Sequence, residues 1–236
     1  MAISDSSAKI VIAIDGYSSS GKSSMARKLA STIGYKYVDS GAMYRAVALY
    51  ALRNGMIRDD QSVDTPALIA ALPSLTISFG LADDGSQFTM LNGENVEKEI
   101  RSMSVSNVVS PVAAIPEVRH ALVVQQQRMG RDKGIVMDGR DIGTTVFPSA
   151  ELKVFVTASP QTRAQRRLAE LIEKGVATSY EEVLSNVINR DHIDETREES
   201  PLRKADDAAT LDNSTMTIEA QNAWLLDLYN KTISTL

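Results

Sequence analysis

The sequence predicts an α/β fold, a parallel sheet covered by helices on both faces, and three observations lead there. Apolar runs of strand length alternate with stretches of helical periodicity along most of the 236 residues. The first run, Ile10-Val11-Ile12-Ala13-Ile14, leads directly into Gly16-Tyr17-Ser18-Ser19-Ser20-Gly21-Lys22-Ser23, which fits the pattern G-x-x-x-x-G-K-[ST]. A helix then opens, because Met25, Ala26, Leu29, Ala30 and Ile33 share one face and Gly34 is a stop signal.

The remaining elements follow in order. Tyr35 to Val38 reads as a short strand ending at Asp39-Ser40-Gly41, and Met43, Ala46, Val47, Tyr50 and Ala51 define a helix closed by Asn54-Gly55. Thr65-Pro66 opens a short helix to Leu72. The rhythm then changes: Leu75 to Phe79, Gln87 to Leu91 and Glu94 to Val96 read as an antiparallel meander turned at Asp84-Gly85 and Asn92-Gly93. Helices are expected near Ser102 and from Pro116 to Gly130, with buried strands at 134–138 and 152–156. Ser159-Pro160 starts a helix to about Lys174, stopped by Gly175, and Glu181 to Asp191 is amphipathic. His192 to Asp207, charged and poor in apolar residues, is expected to be a mobile loop. A strand near Thr210-Leu211 and a helix from Ile218 to about Thr232 close the chain.

Composition narrows the function. The absence of cysteine excludes disulfides, Cys-ligated zinc and thiol catalysis, and suits a cytoplasmic protein. No apolar run approaches the roughly 20 residues that span a bilayer. A net charge of −5 argues against broad binding to nucleic acid or anionic lipid, so anions must meet local clusters of positive charge.

The strand-loop-helix setting is one in which backbone N–H groups and a helix N-terminus cradle polyphosphate. Lys22 can then reach the β- and γ-phosphates, and Ser23 can hold Mg²⁺. Ligands of such sheets bind beyond the carboxyl ends of strands. That places Asp39-Ser40-Gly41 with Tyr44 and Arg45, Asp138-Gly139-Arg140-Asp141 and the loop after Asp191 near the chemistry. Asp138 reads equally as a partner of Mg²⁺ and as a strand-end turn residue. Arg163, Arg166 and Arg167 lie at i, i+3, i+4, and Arg190, Asp194 and Arg197 at i, i+4, i+7 if their helix persists. Either set can be a solvated, ion-paired surface, but next to a phosphate loop an anion-binding role is favoured. Two unit charges about 4 Å apart repel by roughly 4 kcal/mol at an effective dielectric of 20, so transfer between phosphates needs several cations. His120, His192 and Trp224 carry no comparable argument.

The segments IDGYSSSGKSS, DSGAMYRA, NGENVEKEIRS, SPVAAIPEVR, DGRDIGTTVFPSAELKVF, RAQRR and RDHIDETREESPL resemble the bacterial cytidylate kinases, from Lys9 to the last helix. The resemblance implies the three-layer P-loop NTPase fold, with a five-stranded parallel sheet, an inserted small antiparallel-sheet domain that binds the nucleoside monophosphate, and a lid. It makes 1–236 one kinase domain, with core segments 8–63, 132–160 and 206–236, an insertion at about 64–115 and a lid at about 161–205. The implied reaction is Mg²⁺-assisted transfer from ATP to CMP and dCMP. Lys22, Arg140, Arg190 and Arg197 are then catalytic. ATP is held by Gly16, Tyr17, Ser18, Ser19, Ser20, Gly21, Lys22, Ser23, Ser24 and Arg166. CMP is held by Ser40, Arg45, Ser110, Arg119, Arg140, Asp141, Arg190, Asp194 and Arg197, and Mg²⁺ by Ser23 with Asp138 through water. Ser110, Arg119 and Asp141 match the group that reads cytosine, which is chemically sensible. A carboxylate accepts from cytosine's exocyclic amine and faces a carbonyl in uracil. The expected enzyme is a cytoplasmic monomer without nucleic-acid or membrane partners.

Two departures stand out. Tyr17 and Ser19 replace a usual proline and glycine of the loop, so their side chains must point away from the phosphates. Ile193 and Glu195 stand where a relative can be more basic. Rival readings are another small-metabolite kinase, disfavoured by the DGRD block and the hairpin insertion, and a nucleotide-gated switch. A guanine switch needs N-K-x-D, and Asn230-Lys231-Thr232-Ile233 lacks the acid.

Overall fold

The computed structural model describes residues 8–83, 86–173 and 175–236. The apolar run before the phosphate loop forms β1 (Val11–Gly16), and every one of its residues is buried. Four more strands join it: β2 (Lys36–Asp39), β6 (Ile135–Gly139), β7 (Leu152–Thr157) and β8 (Ala209–Asp212). Together they make a five-stranded parallel sheet in the order β2-β6-β1-β7-β8. Burial without alternation is what a strand covered on both faces requires. Helix α1 (Lys22–Ile33) contributes Met25 and Leu29, and α8 (Ile218–Ile233) contributes Leu225 and Tyr229, to a core with Ile12, Ile14, Val154 and Val156. Helices α6 (Pro160–Glu173) and α7 (Tyr180–Thr196) join through a separate cluster of Ala164, Leu171, Val183 and Val187.

These elements form the first of two units, which takes in the described residues up to Val38, Gly130–Glu195 and Leu202–Leu236; the second is Asp39–Met129 with Thr196–Pro201. The second unit holds α2 (Ser40–Arg53), α3 (Thr65–Ala71), α4 (Met103–Ala113) and α5 (Pro116–Met129), with α2 packed on α4. Its antiparallel sheet consists of β3 (Ile77–Leu81), β4 (Gln87–Leu91) and β5 (Glu94–Asn95) in that order. Asn92 and Gly93 both take positive φ, 49° and 86°, as a tight hairpin turn demands. The other expected turn, Asp84-Gly85, lies outside the described residues.

Two departures from the expected boundaries have a visible cause. β3 begins at Ile77 rather than Leu75, because Leu72–Ser74 closes as a 3-10 turn and the Thr76 N–H is taken by the Asn92 side chain at 2.8 Å. The segment expected to be a loop from His192 is helical through Thr196. Asp194 explains the extension, since its carboxylate accepts from Arg140 Nε at 2.8 Å and its carbonyl from Leu202 N at 2.7 Å. Helix thus continues where polar groups are satisfied, despite little apolar surface. Among the described residues no helix is long and apolar enough to cross a membrane.

Candidate functional site

The phosphate loop is set by its backbone. Gly16 has φ 148°, and a Cβ there would lie 2.0 Å from the Val156 carbonyl oxygen, so no other residue fits. Ser19 adopts φ 56° and Gly21 φ 85°, which turn the chain back onto α1. Ser19 therefore does sit where glycine is the easier choice, at a strained left-handed position. Lys22 opens α1, is buried, and donates from Nζ to the Tyr17 carbonyl at 3.0 Å. The Ser18 and Ser20 hydroxyls are buried and have no hydrogen-bond partner among the described residues. Asn213, fully buried, donates to the Ser20 carbonyl at 2.7 Å and to Gln221 at 2.8 Å, bracing the loop from the side of α8.

Asp138 lies within β6 rather than in the turn after it. Its two oxygens accept from Ser23 Oγ and from the Tyr37 hydroxyl, each at 2.7 Å. This couples the residue after the loop lysine to a buried carboxylate on the neighbouring strand. The pairing of β1 with β6 sets Ile14 opposite Asp138 and Asp15 opposite Gly139.

The arginines are spent unequally. Arg163, expected to share a free cationic face with Arg166 and Arg167, is instead buried. Its Nη1 and Nη2 donate to Asp191 at 3.0 and 2.6 Å and its Nε to the Ala158 carbonyl at 2.9 Å, while its Cζ lies 4.9 Å from the centre of the Tyr17 ring. Arg167 pairs with Glu170 at 3.0 Å. Arg166 donates to the Ser20 carbonyl at 3.3 Å and to Asn213 Oδ1 at 3.0 Å, and burial lowers its pKa. Two of the three charges are thus met by protein carboxylates, while Arg166 is met by neutral oxygens. Arg190 differs. Its Nε is buried without a partner among the described residues, and burial, with Arg140 nearby, brings its pKa down to about 10. A buried guanidinium with donor capacity left over carries a desolvation cost. Arg140 is ion-paired to Asp194, and Asp194 raises its pKa against the opposing effect of burial.

Asp141, buried, starts a π-helical turn over Ile142–Val146. The turn's first two amides go to Asp15, which the sequence reading missed. Ile142 N donates to Asp15 Oδ1 at 2.8 Å and Gly143 N to Asp15 Oδ2 at 2.7 Å. Burial pushes the Asp15 pKa up to about 7, against the lowering effect of those two amides. One signal was visible: an acid at the end of an otherwise apolar, fully covered strand.

Tyr17 reaches toward α7. Its hydroxyl donates to Glu195 at 2.6 Å and its ring meets Phe155 edge-on at 5.8 Å. Burial, then the bond to Glu195, raises its pKa to about 12, so it remains a donor at neutral pH. A cavity of about 550 Å³ is walled by Tyr17, Ser159, Arg163, Ile188, Asp191 and Glu195, among others.

The second unit carries Ser40, Arg45, Ser110, Arg119 and Arg197. The cap of α2 is Asp39, whose carboxylate accepts from Ala42 N at 2.9 Å, so capping does not require Ser40. Asp39 also receives Arg101 Nη2 at 2.9 Å. Arg45 Nη1 donates to Ser106 Oγ at 3.0 Å. Arg119 is 1% exposed, donates to the Ala113 carbonyl at 3.2 Å, and lies 5.2 Å from the Tyr44 ring centre. Ser110 is on α4, half-buried. Arg197 lies past the end of α7 and donates to the Ser200 carbonyl at 2.7 Å, so the expected i, i+4, i+7 face stops at Asp194.

A family model described as cytidylate kinase matches residues 12–231. Among curated relatives, a cytidylate kinase of Parabacteroides distasonis is 62% identical over 95% of this chain and 98% of its own. One from Phocaeicola vulgatus is 60% identical over 96% and 99%. One from Bacteroides fragilis is 59% identical over 95% and 98%.

Proposed function

The chain belongs to the cytidylate kinase family, and on that premise we propose that it transfers the γ-phosphoryl group of ATP to CMP and dCMP. The observation that carries the reading is relatedness spread over nearly the whole chain, rather than confined to the widespread phosphate-loop motif. Such transfer asks little acid–base chemistry of a protein. It asks for positioning and for cations placed where charge accumulates.

In this reading the amides from Gly16 to Ser24 and Lys22 hold the ATP phosphates, with Arg166 beside them. Arg140, Arg190 and Arg197 offset the charge of the two reacting phosphates. The unspent Nε of Arg190 supports its part, since a buried guanidinium with donor capacity to spare gains most from an incoming phosphate. Ser40 and Arg45 hold the acceptor's phosphate or sugar, Asp194 its sugar, and Ser110, Arg119 and Asp141 its base.

The residues present suit Mg²⁺. The Ser23 hydroxyl and the Asp138 carboxylate are hard oxygen donors set 2.7 Å apart. Among the described residues no group of three or more His, Asp or Glu gathers to hold a metal, so phosphate oxygens and water would complete the ion's shell. Bound there, Mg²⁺ supplies neutralisation of the β- and γ-phosphate charge. The same reading makes the enzyme a cytoplasmic monomer, which gel filtration checks.

The test is a coupled assay of ADP production with ATP, Mg²⁺ and a panel of CMP, dCMP, UMP and AMP. CMP and dCMP are expected to turn over and chelation of Mg²⁺ to stop the reaction. No turnover of either cytidine nucleotide overturns the proposal.

A further inference from the structure

Asp141 occupies the N-cap position of the π-helical turn Ile142–Val146, with φ −146° and ψ 25°. Aspartate is among the residues that cap helical turns best, because its carboxylate can take the orphaned amides. Here it makes no such bond. The amides of Ile142 and Gly143 are instead taken one each by the two oxygens of Asp15, at 2.8 and 2.7 Å. Asp15 reaches them because the parallel register sets it opposite Gly139, the last residue of β6, so its carboxylate meets the chain just as it leaves the sheet. The other side of the turn is also held: the Asp141 carbonyl accepts from Thr145 N at 2.8 Å and from Val146 N at 3.2 Å. The fit is close. A Cβ on Gly143 would lie 3.3 Å from Asp15 Oδ2 and 3.2 Å from Lys153 Cδ.

We propose that Asp15 is a positioning residue for base selection: by capping the turn from the adjacent strand, it keeps the Asp141 carboxylate committed to the cytosine amine rather than to its own backbone. This rests on the reading of Asp141 as the cytosine acceptor. Without Asp15, two buried amides lose their partners, and the Asp141 carboxylate, at the capping position of the same turn, is drawn toward them. Its return to the backbone removes the group that distinguishes an amine from a carbonyl. Burying an acid at the end of an apolar strand is costly, as its raised pKa reflects, and a hydrophobic residue would serve the sheet alone at lower cost.

The experiment compares kcat/KM for CMP and UMP, and KM for ATP, in the wild type, Asp15→Asn, Gly143→Ala, Asp141→Ala and the Asp15→Asn/Asp141→Ala double variant. Asparagine keeps one acceptor and sets an amide against the second N–H. The CMP/UMP ratio is expected to fall about tenfold in Asp15→Asn, with KM for ATP within about threefold of wild type. Gly143→Ala, which crowds the same contact without removing it, should move the ratio in the same direction by less. In the Asp141→Ala background the Asp15 substitution should leave the ratio where it is, because the reader it positions is gone. A ratio unchanged in Asp15→Asn, or a fall that persists undiminished without Asp141, overturns the proposal. If Asp15→Asn does not fold, Gly143→Ala decides by the same ratio. Failure of the wild type to phosphorylate CMP at all refutes instead the functional reading beneath it.

Discussion

Removing the Arg163 guanidinium should destabilise the protein by far more than a surface cation would. The side chain is 2% exposed and its partner Asp191 13%. Arg163→Met keeps an apolar stem of similar length but deletes two bonds to Asp191, one to the Ala158 carbonyl and a longer one to the Ser18 carbonyl. The dominant cost is the carboxylate left behind, nearly buried and without its counter-ion. Breaking a buried pair from one side costs about 3–5 kcal/mol. For a chain of this size each kcal/mol lowers Tm by about 2–4 °C, so a fall of about 6–20 °C is expected. Removing the stranded charge as well, in Arg163→Met/Asp191→Leu, should restore a good part of that loss. Urea unfolding of the wild type, both single variants and the double variant gives the coupling directly. If Arg163→Met stays within about 1 kcal/mol of wild type, or if the two substitutions simply add, the pair is not the anchor that its burial and geometry indicate.

Lys22→Ala should lower kcat by about a thousandfold while circular dichroism remains native, because the phosphates lose their charged partner; retained turnover would contradict the role given to the loop. Arg190→Gln should lower kcat by about a hundredfold and, since its Nε has no partner among the described residues, change the unfolding free energy by less than about 1 kcal/mol. A large stability loss would show the guanidinium to be structural. Asp15 makes stability depend on pH. Its folded pKa is raised from 3.8 to about 7, so the folded chain retains a proton that the unfolded chain releases, and stability should decline as pH rises from about 4 to about 7. At about 1.4 kcal/mol per pH unit the decline approaches 4 kcal/mol, and it should vanish from the difference between wild type and Asp15→Asn if the group does not titrate there.

Local features were legible in the sequence, and long-range pairings were not. The phosphate loop, the Asn92-Gly93 turn and the meander depend on neighbours within a few residues, so composition and spacing reveal them. Asp15 is different: its partners are 127 and 128 residues away, and only the register of β1 with β6 brings them together. The same holds for α7. Its polar last turn looks like loop until Arg140, 54 residues earlier, is found on Asp194. Spacing alone makes Arg163 one of three equivalent cations, because position along a helix says which side chains share a face and nothing of what lies opposite. Asp191, 28 residues on, decides its role. A covered parallel sheet and a separate antiparallel meander follow from alternation of elements and turn chemistry without knowledge of any single contact, while the count of five strands comes from the family resemblance.

The strand order has a consequence for how the chain is made. β1, near the N-terminus, lies between two strands that begin only at Ile135 and Leu152. On the ribosome the most apolar segment of the protein therefore emerges early and waits, with both edges open, until well over half of the polypeptide has been synthesised. The stretch Asp39–Met129, whose pairings are short in sequence, is complete before that wait ends. Translation thus delivers a small, quickly ordered body first and exposes a sticky ribbon beside it, so slowing elongation between codons 40 and 150 should raise the demand for chaperones that shield extended apolar chain.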